Sequence, residues 1–294
     1  MVSLIDVISS AATLGGLVAL TGAYLLRVWL HGDAHYERVD QVGGSVLLSK
    51  RLMEMFYWGL QSVARACVSV GLTPDHITGS TLVLALLAAV AAGTGHFGVA
   101  LVFLVAGLLG DALDGLVARM SGQSSRAGAV FDSVIDRYVE SAYFFGLGYY
   151  FRGNDAMLAL VAAALFGSYM VSYVSAKVEL MKVPVERGLM RRTERAVYLS
   201  VATAVAPFTQ LLTAADRPAW VGVWPLVASL GLIAVVANAS AAHRLLALMR
   251  ALRSEEAAAP VAAAPSVPVA VVSTRVRPVP ALEEPAPLSV GRAA

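Results

Sequence analysis

The chain has 294 residues, 58% of them hydrophobic and only 14% charged, with a mean hydropathy of +0.70. That composition excludes an ordinary soluble globular domain and points to a polytopic membrane protein. A single cysteine, Cys67, excludes a disulfide framework and any cysteine-built metal cage; the net charge of +2 is unremarkable, but its distribution is not.

In chain order, apolar spans fall at about 4–30, 74–93, 97–118, 128–151, 156–176, 196–214 and 221–248, each near the ~20 residues that a membrane helix needs. The first is the weakest, interrupted by Ser, Thr and Gly and carrying Asp6 and Arg27 near its ends. Residues 45–70 read as a helix lying on the membrane. Leu48, Leu52, Met55, Phe56, Gly59, Val63 and Cys67 fall on one face, Lys50, Glu54, Gln61 and Arg65 on another, and Tyr57 and Trp58 suit the headgroup zone. Gly71 to His76 is a break, with Thr73 a capping residue and Pro74 suited to a first helical turn. From about residue 251 the chain is an Ala/Pro-rich tail, expected to be disordered.

Lys and Arg collect in the loops 31–73, 119–127 and 177–195 and after the last span, whereas the opposite loops hold only Arg152 and Arg217. The positive-inside rule puts the basic loops on the cytoplasmic side. The five histidines share no metal-binding spacing, and His76 alone lies near the break before the second span. Arg137 and Glu140, at i and i+3, are expected to pair, and the aromatics from Tyr143 to Tyr150 to pack or to sit at the membrane interface.

The strongest chemical signal is a set of carboxylates at the ends of two apolar spans. Asp111, Asp114, Gly115, Ala118 and Arg119 stand at i, i+3, i+4, i+7 and i+8, and so share one helix face. Gly128, Asp132 and Asp136 repeat that arrangement on the next helix at i, i+4 and i+8. Joined by a short loop, the two helices can aim four carboxylates at one point. Four adjacent carboxylates near lipid cannot all stay ionised without a counter-charge. Two hard divalent cations, Mg²⁺ or Mn²⁺, would supply it through all-oxygen ligation and would suit phosphoryl chemistry. A cation or proton pathway lined by acids, as in a polytopic cation transporter, is the competing reading. It leaves the Gly, Ala and Arg of the acidic face unexplained.

The pattern Asp-x-x-Asp-Gly-x-x-Ala-Arg, eight residues, Gly-x-x-x-Asp-x-x-x-Asp resembles the signature of the CDP-alcohol phosphotransferases, and this chain matches it at every fixed position. The resemblance covers residues 45–250. It implies an all-α integral membrane protein, a six-helix transmembrane bundle with an interfacial amphipathic helix, to which residues 1–44 add one extra N-terminal span and a connector. It implies a divalent-metal enzyme in which a hydroxyl attacks a CDP-linked phosphorus and CMP leaves. By position, Asp111, Asp114, Asp132 and Asp136 resemble the family's metal ligands, with Asp136 also its general base. Gly115, Ala118, Arg119, Ser125 and Gly128 resemble its CDP contacts, with Asp75 and Thr78 as a further nucleotide stretch.

Residues 172–179 and 191–195, with Arg244, resemble the branch that makes inositol-phosphate lipids, which implies acceptor-binding roles for Lys177, Arg191, Arg195 and Arg244. The branch usually carries a lysine where this chain has Ser175. Lys182 and Arg187 are read equally well as ordinary cytoplasmic-side charge. The expected reaction is transfer of a phosphatidyl group from CDP-diacylglycerol to a small polar alcohol such as inositol phosphate or glycerol phosphate. The shared motif leaves open a CDP-choline or CDP-ethanolamine:diacylglycerol phosphotransferase. The expected setting is the bacterial inner membrane, as a homodimer with its active site on the cytoplasmic side and no nucleic-acid partner.

Overall fold

The computed structural model describes residues 3–32, 50–185, 188–214 and 216–258. All regular structure among these residues is helical: α1 (Leu4–His31), α2 (Lys50–Ser69), α3 (Pro74–Gly93), α4 (Phe97–Met120), α5 (Arg126–Tyr150), α6 (Asp155–Met181), α7 (Arg192–Leu212), a single turn α8 (Ala219–Gly222) and α9 (Trp224–Ala258). The start of the expected interfacial helix (45–49), Arg187 and the tail from residue 259 lie outside the described residues. The described residues up to Arg253 form one compact unit.

Five helices, α1, α3, α4, α6 and α9, are long and apolar enough to cross a membrane. The other two expected spans, α5 and α7, form helices of 25 and 21 residues but carry more charge, at Arg126, Asp132, Asp136, Arg137 and Glu140 on α5 and at Arg192, Glu194 and Arg195 on α7. The break before α3 forms as the sequence predicts. Gly71 takes φ +77°, Thr73 caps through its hydroxyl, which accepts from His76 N at 3.3 Å, and Pro74 opens the helix.

Lipid offers no hydrophobic drive for helices to associate, so close backbone approach through small residues has to hold the bundle. One such close contact joins α3 and α5. A Cβ placed on Gly146 would lie 2.4 Å from the Ala89 carbonyl oxygen, and one on Gly93 3.2 Å from the Gly146 oxygen. Between α3 and α4, a Cβ on Gly110 would lie 2.8 Å from Thr81 Cγ2. Around these contacts Phe97, Phe144, Leu147, Leu230 and Ile233 are fully buried. Large side chains such as Leu14, Val90, Phe145, Phe166 and Val235 point outward, as expected for surfaces facing lipid tails.

The α2 face differs from its prediction. Met55, Leu60 and Ala64 are buried, but so is Glu54, whereas Val63 is 47% exposed. The reason is α1, which lies against α2: Tyr24 donates to Glu54 Oε2 at 3.3 Å and its ring stands 5.9 Å from that of Trp58. A partner helix thus covers part of the side that periodicity assigned to solvent.

Candidate active site

The C-terminal half of α4 and the first half of α5 bring acids together. Asp111 and Asp114, one turn apart on α4, and Asp132 on α5 each present a carboxylate oxygen, and the three oxygens lie within 4.8 Å of one another. Asp114 is buried, and its Oδ2 accepts a 2.6 Å hydrogen bond from Thr78 Oγ1 on α3. Thr78 is itself only 4% exposed, so it orients a carboxylate rather than presenting its hydroxyl to a nucleotide as the sequence predicts. Asp132 Oδ1 is buried with no hydrogen-bond partner among the described residues. A buried carboxylate oxygen with no donor is costly unless a cation takes the donor's place. Three convergent carboxylates with one orphaned oxygen fit a hard divalent ion, whose preferred ligands are oxygens.

Asp136 does not join that trio. One turn further along α5, its Oδ1 accepts a 2.6 Å ion pair from Arg192 Nη2 at the start of α7. The other end of the Arg192 fork, Nη1, lies 3.3 Å from both oxygens of Asp111. One guanidinium therefore ties the two acidic helices together. The sequence gives this residue only as one of several basic positions; its partners lie 81 and 56 positions away, beyond any local spacing.

Arg195 is turned elsewhere. It is fully buried, with Nε and Nη2 donating to Glu140 Oε1 and Oε2 at 2.6 and 2.9 Å and Nη1 donating to the Met190 carbonyl at 2.6 Å. This guanidinium is a clamp between α5, α7 and the segment before α7, and it is closed to an acceptor. Glu140 is thereby taken from its expected partner: Arg137 donates instead to the Ser133 carbonyl and, at 2.6 Å, to Ser133 Oγ. A cavity of about 60 Å³ lies alongside, with Glu140 and Arg192 in a wall otherwise made by residues such as Phe103, Leu108 and Leu199.

The residues expected to hold CDP line the exposed end of the same two helices. The Arg119 guanidinium folds back over Gly115, where a Cβ would lie 3.3 Å from Nη1. Arg119 Nη2 also donates to Tyr57 OH of α2 at 3.3 Å. Ala118 is half-buried on the same helix. Ser125 caps α5, its Oγ accepting from Gly128 N at 2.9 Å, and a Cβ on Gly128 would stand 3.8 Å from Asp75 Oδ1. Ser125, Gly128 and Asp75 thus form one cluster, with the Asp75 and Ser125 side chains exposed.

The expected acceptor residues are only partly gathered. Arg244 of α9 donates to Ser175 Oγ of α6 and packs so closely on Gly188 that a Cβ there would lie 2.5 Å from its Cδ. Arg244 Nε is buried without a partner among the described residues. In place of the lysine that the resemblance leads one to expect at position 175, the structure has an arginine reaching in from another helix. Lys177, about 200° round α6 from Ser175, stands 5.5 Å over the Tyr173 ring and does not join Arg244. Arg191 sits at the N-cap of α7, where its backbone N–H donates to Glu194 Oε2 at 3.1 Å.

Comparison with known proteins agrees with this architecture. The archaetidylinositol phosphate synthase of Pyrococcus horikoshii is 33% identical over 147 residues, covering 49% of this chain and 76% of that protein. The phosphatidylinositol phosphate synthase of Mycobacteroides abscessus is 31% identical over 190 residues, covering 62% and 80%. Among solved structures, Mycobacterium tuberculosis phosphatidylinositol phosphate synthase in complex with manganese and citrate superposes with a TM-score of 0.56 at 25% identity, covering 65% of this chain and 88% of that one. The same protein with CDP-DAG bound gives a TM-score of 0.55, covering 64% and 92%. The family description CDP-alcohol phosphatidyltransferase matches residues 71–233, more than half of the chain and the whole of the acidic constellation, and the chain belongs to that family.

Proposed function

We propose that this enzyme transfers the phosphatidyl group of CDP-diacylglycerol to a small phosphorylated alcohol of the inositol phosphate type, releasing CMP. The observation that carries the reading is the convergence of Asp111, Asp114 and Asp132, with an unpartnered Asp132 oxygen, beside the Gly115–Arg119 face. Asp111, Asp114 and Asp132 would hold a divalent ion, and Asp136 a second when Arg192 gives way. Bound there, Mg²⁺ or Mn²⁺ neutralises charge on the diphosphate and on the leaving phosphate. The Mycobacterium tuberculosis relative with manganese supports this assignment.

The chain's own residues do the rest. Arg119 takes the diphosphate as a planar fork, and Gly115 leaves room for the nucleotide to approach the backbone. Ser125, Gly128 and Asp75 close the exposed side. The acceptor hydroxyl attacks the phosphorus that bears diacylglycerol, the phosphorus–oxygen bond to CMP breaks, and Asp136 accepts the hydroxyl proton. Until it gives way, Arg192 holds the Asp136 carboxylate in place, and Thr78 fixes that of Asp114. Arg244, with an unused buried N–H, and Arg191 provide the cationic end suited to an acceptor's phosphate. The named activities of the similar proteins support the inositol phosphate class.

The concentration of Lys and Arg in the loops at this end favours a cytoplasmic site, and the family resemblance favours a homodimer. The test is CMP release by purified protein with CDP-diacylglycerol and, in turn, inositol phosphate, glycerol 3-phosphate, serine and free inositol. Lipid products are identified by mass spectrometry. Inositol phosphate should be preferred; preference for an uncharged alcohol refutes the acceptor assignment. Turnover of CDP-choline with diacylglycerol refutes the direction of transfer.

A further inference from the structure

Helix α1 lies outside the family match at 71–233, yet both of its ends reach elements of the CDP site. Near its start, Asp6 is 2% exposed. Its Oδ1 accepts from Gly98 N at 3.1 Å and Val99 N at 3.3 Å, and its Oδ2 lies 3.0 Å from His96 Nδ1. His96, the N-cap residue of α4, makes no side-chain cap. The cap of the helix that carries Asp111, Asp114 and Arg119 therefore comes from α1, as a carboxylate at the positive end of the helix dipole. Gly98 permits the approach, since a Cβ there would fall 1.9 Å from the Asp6 carbonyl oxygen.

Near its other end α1 grips α2. Tyr24, 4% exposed, donates to the buried Glu54, and Leu20 Cδ1 lies 3.2 Å from where a Cβ on Gly59 would be. One turn on from Glu54, Tyr57 OH accepts from Arg119 Nη2 at 3.3 Å, and the guanidinium stands 5.8 Å from the Tyr57 ring. The contacts run from α1 to α2 and from α2 to the arginine of the motif. Arg119 is exposed, and a long exposed side chain loses rotamer freedom when it engages a ligand. Holding it in place beforehand reduces that loss.

We propose that α1 and α2 form a brace for CDP-lipid binding, in which Tyr57 is a positioning residue for Arg119 and Tyr24 fixes the helix that presents Tyr57. The inference rests on the reading of Arg119 as a diphosphate contact. The test uses the full-length chain in detergent, following CMP release with separate titrations of CDP-diacylglycerol and acceptor. Tyr57→Phe should raise KM for CDP-diacylglycerol by roughly 3- to 10-fold, the effect of one long, exposed hydrogen bond to a charged group, with kcat and acceptor KM little changed. It should add nothing further in an Arg119→Ala background. Tyr24→Phe should act in the same direction, more weakly. A wild-type protein that releases no CMP overturns the transferase reading and the brace with it. An active wild type matched by Tyr57→Phe overturns the brace alone. So does a Tyr57→Phe defect that is fully additive with Arg119→Ala, or one that lowers the melting temperature and harms both substrates equally.

Discussion

Replacing Arg195 by methionine separates two roles for this residue. The side chain is fully buried and forked onto Glu140, itself only 14% exposed, with a third hydrogen bond to the Met190 carbonyl. Arg195→Met leaves Glu140 as a largely buried carboxylate without its guanidinium and the Met190 oxygen without this donor. Breaking a buried ion pair costs about 3–5 kcal/mol, which for a protein of this size corresponds to a fall of about 6–20 °C in melting temperature. Glu140→Gln should cost less, because an amide oxygen still accepts from the guanidinium. The double variant Glu140→Met, Arg195→Met should recover part of the loss, since no charge is left uncompensated. Thermal denaturation of the purified protein in detergent measures all three. An Arg195→Met protein that melts like the wild type and shows only a raised KM for the acceptor would refute the clamp. It would restore the acceptor role that the sequence suggests.

Four other outcomes are expected. Asp136→Asn should leave the fold intact and lower turnover by at least about 100-fold, the usual contribution of a positioned base, as read by CMP release in a folded sample. Chelation with EDTA should abolish CMP release, with restoration by Mg²⁺ or Mn²⁺. Asp132→Asn should weaken Mn²⁺ binding by isothermal titration calorimetry without lowering the melting temperature of the metal-free protein, since Asp132 Oδ1 has no hydrogen-bond partner to lose among the described residues. Gly146→Ala should destabilise by about 1–3 kcal/mol, the cost of overpacking, because its Cβ would meet the Ala89 carbonyl oxygen; a melting curve unchanged from wild type would contradict the close approach.

The acidic motif was legible because fixed helical spacing turns sequence positions into faces. Asp111 and Asp114 on one helix and Asp132 on the next needed only a short loop to meet. The break at Gly71–Pro74 was legible for the same local reason, since a positive φ, a cap and a first-turn proline each leave their own mark. What escaped depends on partners far along the chain. Asp6 is a weak point in an apolar span until Gly98 and Val99 arrive from more than 90 positions away. Glu54 reads as a solvent-side charge until Tyr24, 30 residues earlier, covers it. Arg192 and Arg195, three residues apart in one basic run, part company through Asp136 on one side and Glu140 on the other. No periodicity distinguishes a cation that spans two acidic helices from one that is locked away.

The meeting of Gly146 with the Ala89 carbonyl has a mechanical consequence. Two rods whose main chains touch are geared: neither slides or rolls without carrying the other. Thr78 rides on one rod and Asp132 and Asp136 on the other, so the hydroxyl that holds Asp114 travels together with the two carboxylates of α5.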